Sequence, residues 1–396
     1  MSTPSGSATL PERLVSLDAF RGLTMLFMAS SGFGVAQLAK AHPDSAFWDF
    51  LSYHTSHAAW VGGGAWDMIQ PAFMFMVGMA LPFSSSRRTA DGQDNRKRFF
   101  HTLWRAFVLV ALGVFLATGT SKQPVFVFPN VLAQIGLGYV FVTLLVGRGW
   151  KVQTTAIGLI AIATWAAFAL TPAVAPGTDL RAVGVTPELA QEAVLPGFFA
   201  HWNMNANFAA GFDQWFLNLF PGEKPFTYNG GGYATLNFVP AIITMTLGLM
   251  AGEALRSERT PPSKLAWLLR TGALCLALGV LAGLTVCPIV KRLWTPSWAL
   301  FSGGVVLWAF GFLYWLIDLK GRKGWTFPFV VVGMNSIAIY LAYQLCGGWL
   351  RALAKTWLAA GTFTGPYGEL LLCLAVLAQL WVFCWWLWQR KVFIRI

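Results

Sequence analysis

The chain has 396 residues, of which 56% are hydrophobic and only 11% charged. Soluble domains carry about 25% charged residues, so this composition excludes one and specifies an integral membrane protein. The formal net charge of +12 would suit a nucleic-acid partner, but the cations sort by membrane side, which accounts for the charge without one.

About 20 apolar residues cross the hydrocarbon core of a bilayer, and ten such segments are predicted. The first, 16–37, follows a polar tail of residues 1–15. It carries Asp18 and Arg21 and lacks a small-residue cleavage site, so it is expected to stay as a helix and not to be removed as a signal peptide. Asp18 and Arg21 lie three apart in SLDAFRG; on chemistry alone they form a helix-start ion pair, or Arg21 meets a phosphate. The stretch His54–Gly78, HTSHAAWVGGGAWDMIQPAFMFMVG, then sets His57, three glycines and Asp67 at the mouth of the second segment, 66–83. Ionisable groups at such a place are costly to keep. Their ten-residue spacing matches no helical face, so the glycines at 62–64 must fold the chain back for His57 and Asp67 to meet. If they meet, the carboxylate fixes the imidazole tautomer and supports a general base. Otherwise Asp67 is a helix-start acid and His57 an interfacial polar group.

Segments three to five are 97–118, 130–147 and 152–171. Asn130 and Gln134, four apart in PNVLAQIG, project together where the fourth begins, for helix packing or for a ligand. Residues 172–235 form a connection far longer than joining two helices requires. It holds Trp202, Asn203, Asn205, Asn207, Asp213 and Tyr233, aromatic faces among amides and a carboxylate. Such a set suits a polar, ring-shaped ligand such as a sugar, or an amphipathic segment lying on the membrane. The sixth segment, 236–254, opens with Asn237 and with Pro240, which is expected to interrupt the hydrogen-bond ladder. The remaining four are 265–286, 297–317, 325–346 and 367–389. The ninth contains Asn335, Ser336, Tyr340, Tyr343 and Gln344, suited to helix–helix hydrogen bonds or to a cavity wall.

With the N-terminus in the cytoplasm, 20 of the 28 lysines and arginines fall on the cytoplasmic side. The other eight are Lys40, Lys122, Arg181, Lys224, Lys291, Arg292, Arg351 and Lys355. The positive-inside rule is then met by ten helices with both termini inside. The expected fold is an all-α polytopic membrane protein whose His57–Asp67 stretch and long loop between helices 5 and 6 lie on the outer face. Five scattered cysteines, without a CxxC or a partnering His, read as small core residues. No metal-ligand spacing occurs, and the GxxxxGK[ST], GxSxG and HExxH signatures are absent.

Six motifs in order carry a resemblance. They are RLVSLDAFRGL at 13–23, HAAW followed by WD and P at 57–71, LNFVPAIITMTLGLMAGE at 236–253, IDLKG at 317–321, FVVVGMNSIAIY at 329–340 and the basic ending RKVFIRI. Together they resemble the heparan-alpha-glucosaminide N-acetyltransferase family of transmembrane acyltransferases and its bacterial members, over about residues 13–396. The resemblance implies one acyltransferase domain over 16–396 in a bacterial inner membrane. It implies transfer of an acetyl group from cytoplasmic acetyl-CoA, a co-substrate, to an amino sugar or glycan on the periplasmic side, with no metal. His57 falls on the family's catalytic histidine and Asp67 on the carboxylate that follows it. Arg21, Asn130, Gln134, Asn335 and Ser336 are the expected acetyl-CoA contacts, and Trp202, Asn207, Asp213 and Asn237 the expected acceptor contacts. Gly32 and Gln134 depart from the family pattern, which has an asparagine and an arginine there.

His57 then acts as general base or carries the acetyl group itself, and the sequence leaves both routes open. The bilayer is the other expected partner, and a homodimer is compatible with the chain. The alternative reading is a proton-coupled transporter of a polar or sugar-like solute, gated by His57 and Asp67. Transporters often contain internal repeats, and the two halves here show no convincing similarity.

Overall fold

A computed structural model describes residues 14–90, 94–119, 121–359 and 361–394. The tail of residues 1–13, with Arg13, and the closing pair 395–396, with Arg395, lie outside the described residues. Among those described, every regular element is helical. In chain order they are α1 (Val15–Ala29), α2 (Val35–Ala41), α3 (Ala46–Thr55), α4 (Ile69–Ala90), α5 (Asn95–Thr118), α6 (Val131–Leu144), α7 (Gly149–Ala169), α8 (Pro187–Ala193), α9 (Phe208–Leu217), α10 (Phe238–Arg256), α11 (Pro261–Thr285), α12 (Pro296–Leu313), α13 (Phe327–Gly333), α14 (Ser336–Trp357) and α15 (Gly368–Gln389). Eight helices are long and apolar enough to cross a membrane, and a ninth span results if α1 and α2, bent by 45°, count as one. The protein is a multi-span membrane protein.

The ten predicted segments all reappear, with three changes that have local causes. The first span breaks after α1 because Ser31, Gly32, Phe33 and Gly34 all adopt left-handed backbone, with φ between 52° and 65°. Two of the four are glycines, which take that conformation without a Cβ clash. The ninth segment, expected over 325–346, is divided at Met334–Asn335, and its membrane-length part runs from Ser336 to Trp357. Arg351, counted from the sequence as an outer-face charge, falls within this part, and its guanidinium pairs with Glu369 of α15, the counter-charge that an apolar helix needs to carry an arginine. Pro240 does not interrupt α10, because it stands in the first turn, where the missing N–H has no intrahelical partner to lose. The fourth segment is confirmed as a helix but at 14 residues is shorter than a full span.

Packing explains the arrangement. Within lipid, helices associate through close backbone contact at small residues, and α10, buried along nearly its whole length, is the centre. A Cβ at Gly78 of α4 would overlap the Met245 carbonyl, and one at Gly248 or Gly252 of α10 would overlap the carbonyls of Phe75 or Met79. The same device joins α1 to α13, where Gly22 faces the Phe329 carbonyl and Gly333 the Asp18 carbonyl.

Each end of this bundle has its own polar lock. At one end Glu253 accepts from the Gly147 N–H and the Gln153 side chain (2.9 and 3.0 Å), and Arg256 donates to the Pro82 carbonyl at 2.6 Å. The other end carries α2, α3 and the connection 170–234, with a separate hydrophobic cluster built on Trp60, Trp202, Met204 and Leu293. His57 and Asp67 belong to this second end. Four cysteines are buried as expected, and Cys346 is exposed on α14.

Candidate functional site

The site begins with the glycines. The backbone at Val61 and Gly62 pairs with Val290, and the Gly62 N–H donates to the Ile289 carbonyl at 2.8 Å. Gly64 sits against the Tyr53 carbonyl with no room for a side chain, and a Cβ at Gly63 would press into the Trp298 ring. The chain therefore turns tightly and reverses before α4. Asp67, in the 3₁₀ turn Trp66–Met68, is placed against residues that precede it by nine and ten.

His57 Nδ1 lies 2.7 Å from Asp67 Oδ1. The Asp67 Oδ2 atom accepts from the backbone N–H groups of Ala58 and Gly64, both at 3.1 Å. Lys291 Nζ reaches Asp67 Oδ1 at 2.9 Å and stands 2.9 Å from His57 Nδ1. The Asp67 side chain is fully buried and that of Lys291 is 6% exposed, whereas the His57 ring is 44% exposed. Burial, with the neighbouring Arg292 charge, draws the Lys291 ammonium below the usual lysine range, and Asp67 opposes this only in part.

These distances assign the tautomer. Two acceptors cannot rest 2.7 Å apart without a proton between them, so Nδ1 carries the hydrogen and donates it to Asp67. Lys291 then donates to Asp67, and its approach to Nδ1 is a contact, not a hydrogen bond. The opposite ring edge, with Nε2, is turned away from Asp67. The His57 ring packs edge to face with Trp66 at 6.4 Å, which in turn meets Phe27 of α1 at 5.1 Å.

Arg292 connects this centre to the long loop. Its guanidinium donates to the Gly231 carbonyl (2.7 Å) and to the Ala58 carbonyl (3.2 Å), and lies 5.5 Å over the Tyr233 ring. Trp60 Nε1 donates to the Trp202 carbonyl at 3.0 Å. The loop is thereby folded onto the site.

Of the residues expected to meet an acceptor, Trp202, Asp213 and Asn237 are buried, while Asn207 is partly buried and lines a small cleft with Asp213. Trp202 is wholly buried and stacked on Phe168. Asn207 caps α9, accepting from the Ala210 N–H at 3.1 Å. Asn237 is buried and donates to the Arg292 carbonyl at 2.8 Å, so it braces the cation pair. Asp213 is buried, accepts from the Thr235 N–H at 2.9 Å, and lines a small cleft with Asn205, Asn229 and Tyr233. Burial pushes the Asp213 carboxyl up to about 6, against the Thr235 hydrogen bonds.

The expected acetyl-CoA contacts divide into two groups. Arg21 lies 3.7 Å from Asp18, whose backbone carbonyl packs against Gly333, two residues before Asn335. Asn335 is fully buried and its Oδ1 accepts from the Ile394 N–H at 3.1 Å, which ties down the end of the chain. Ser336 bonds the Gly333 carbonyl at 3.5 Å. Asn130 and Gln134 are elsewhere, at the His57 end. Asn130 caps α6, and fully buried Gln134 donates to the carbonyls of Phe128 and Thr235 at 2.9 and 3.1 Å. The structure does not bring these two groups together.

Lys291 and Arg292 carry weight that sequence reasoning missed, since they were counted only as outer-face charges. The available signal was two adjacent cations inside the apolar run CPIVKRLW on a face otherwise poor in them. No set of three His, Cys, Asp or Glu side chains gathers as a metal site among the described residues.

Asp213 makes one expectation testable. Its folded carboxyl holds a proton more tightly than an unfolded one, so its contribution to stability is full below about pH 4 and lost as pH rises through about 6. Thermal unfolding measured from pH 4 to 7 is expected to show that loss, of about 3 kcal/mol, in the parent protein and not in Asp213→Asn.

Residues 13–193 match a family described as "Heparan-alpha-glucosaminide N-acetyltransferase, catalytic". The chain is 24% identical over 377 residues to the human protein named heparan-alpha-glucosaminide N-acetyltransferase, covering 85% of this chain and 54% of that protein. Its mouse counterpart is 23% identical over 389 residues, covering 86% of this chain and 55% of that protein. The chain thus spans about half the length of the curated relatives it matches.

Proposed function

We propose, for a chain that resembles the heparan-alpha-glucosaminide N-acetyltransferase family over most of its length, that it is a transmembrane acetyltransferase. It moves an acetyl group from cytoplasmic acetyl-CoA to an amino sugar or glycan on the far side of the membrane. The observation that carries this reading is the His57–Asp67 contact: a buried carboxylate holds Nδ1 while the ring stays 44% exposed. That is the arrangement a general base needs.

Acetyl-CoA bears charged phosphates and does not cross a bilayer, whereas its pantetheine arm is slender. The phosphates stay at the end with most of the Lys and Arg, near Arg21 and the Asn335–Ser336 turn, and the thioester reaches His57 between the helices. The acceptor amine attacks the thioester carbonyl as His57 Nε2 removes its proton. The tetrahedral adduct then expels the thiolate of CoA, which takes that proton from Nε2. The same free edge could instead attack first and form an acetyl-imidazole; a burst of acetylated protein without acceptor identifies that order of events. Arg292, spanning Gly231 and Ala58, sets the acceptor loop at a defined distance from the ring.

The direct test is incubation of the purified protein with labelled acetyl-CoA and a panel of amino sugars. Acetylated product is expected with at least one of them. A folded protein that acetylates no acceptor in the panel, amine or hydroxyl, overturns the reading.

A further inference from the structure

We propose that Lys291 is a positioning residue for this transfer: its ammonium cancels the charge of Asp67 and keeps the His57 ring unprotonated at Nε2. The inference rests on the reading of His57 as the reacting group.

A simple His–Asp pair leaves a lone carboxylate beside the imidazole. Such a carboxylate attracts a proton onto the ring, because imidazolium beside an anion is the favoured state. Here the anion is already matched. Lys291 Nζ is 2.9 Å from the same Oδ1 atom that accepts from His57, and equally close to Nδ1 itself. A second positive charge on the ring would face an ammonium in direct contact, across a space from which solvent is largely excluded. The pair Lys291–Asp67 therefore orients the imidazole without drawing a proton to it. The ring keeps the lone pair that either transfer route requires.

The fold holds Lys291 in place by means that do not involve the pair. The Val290 N–H donates to the Thr295 hydroxyl at 3.0 Å, Trp294 takes a left-handed conformation with φ 49°, and Val290 pairs with the Val61–Gly62 backbone. The 3₁₀ turn Lys291–Leu293 is thus built as a platform. The other charged or titratable groups that bear on the triangle are few. Arg292 is turned to the Ala58 and Gly231 carbonyls. The Tyr233 hydroxyl is kept in its neutral form chiefly by burial, against the nearby Arg292 charge. The His54 ring faces the Ala65 N–H at 3.3 Å. A lysine suits the position because it is a compact point charge, whereas the wide fork of arginine would have to displace Asp67 or His57.

The test reads the ring without requiring acetyl transfer. Diethyl pyrocarbonate modifies only an unprotonated imidazole nitrogen, and its rate at His57 can be followed by mass spectrometry from pH 5 to 8. In Lys291→Met, modification of His57 at pH 6 is expected to fall several-fold while that at pH 8 is unchanged. Acetyl transfer, where measurable, follows the same course in kcat with little change in the KM for the acceptor. Should Lys291→Met fail to insert because Asp67 is left unmatched, Asp67→Asn is compared with Asp67→Asn/Lys291→Met. The double variant, free of both charges, is expected to be modified more slowly at pH 6. A pH course identical with and without Lys291, in both pairs, reduces the residue to a brace and overturns the proposal. Because the reagent needs no acyl donor, that outcome is separate from a failure to find acetyltransferase activity.

Discussion

Replacing His57 with alanine is expected to lower acetyl transfer by about 10²–10⁴-fold, the usual contribution of a general base, or to abolish it if the ring carries the acetyl group. The fold should survive. Asp67 retains Lys291 and the N–H groups of Ala58 and Gly64 when the imidazole is removed, so no charge is stranded. The histidine ring is also nearly half exposed, and its truncation opens no sealed cavity. Labelled transfer to an amine acceptor, run beside a thermal unfolding curve of the same preparation, separates the two effects. Full transfer activity in His57→Ala would place the chemistry elsewhere.

The largest effect on stability is expected at Gly248. A valine there would drive its Cβ into the Phe75 carbonyl, and neither backbone can yield without separating α4 from α10. Overpacking of this kind costs about 1–3 kcal/mol in ordinary cores, and more is expected where the obstacle is backbone at the centre of the bundle. Gly158 on α7 provides the contrast, since a Cβ there meets nothing within 4 Å. Gly158→Ala should leave the unfolding temperature unchanged or raise it slightly. Equal behaviour of the two variants would mean that the α4–α10 contact does not hold the bundle together.

Much of this molecule was legible beforehand. Ten apolar segments were visible because a bilayer demands long runs of one kind of residue, and each reappears as a helix or a helix pair. The fold-back at Gly62–Gly64 was also foreseeable, since only a reversal could join His57 to Asp67 across ten residues. The errors have a shared origin. Arg351 was counted as an outer-face loop charge, because the partner that makes it tolerable within a helix, Glu369, lies on another helix. Ser31 and Phe33 gave no sign of left-handed backbone; the break after α1 became visible only with the contacts around it, where Gly32 packs against Thr55 and Gly34 against Glu369. Trp202, Asn207 and Asp213 have the composition of a sugar site; in the fold Trp202 is core, while Asn207, a helix cap, and Asp213, a buried acid, line one small cleft. Composition does not tell a side chain that meets a ligand from one that satisfies its own loop.

The sequence by itself determined that the protein spans a membrane many times and where each helix lies along the chain. It also singled out His57 and Asp67 as the pair to watch. These are properties of short stretches, decided by local hydropathy, spacing and turn chemistry. Only the tertiary structure decided that the pair is a triangle. Lys291 is 224 residues from Asp67 and reaches it because Val290 pairs with Val61 and Gly62. A charge buried in a protein is interpretable only with its counter-charge, and that partner is chosen by the fold, not by the neighbouring sequence.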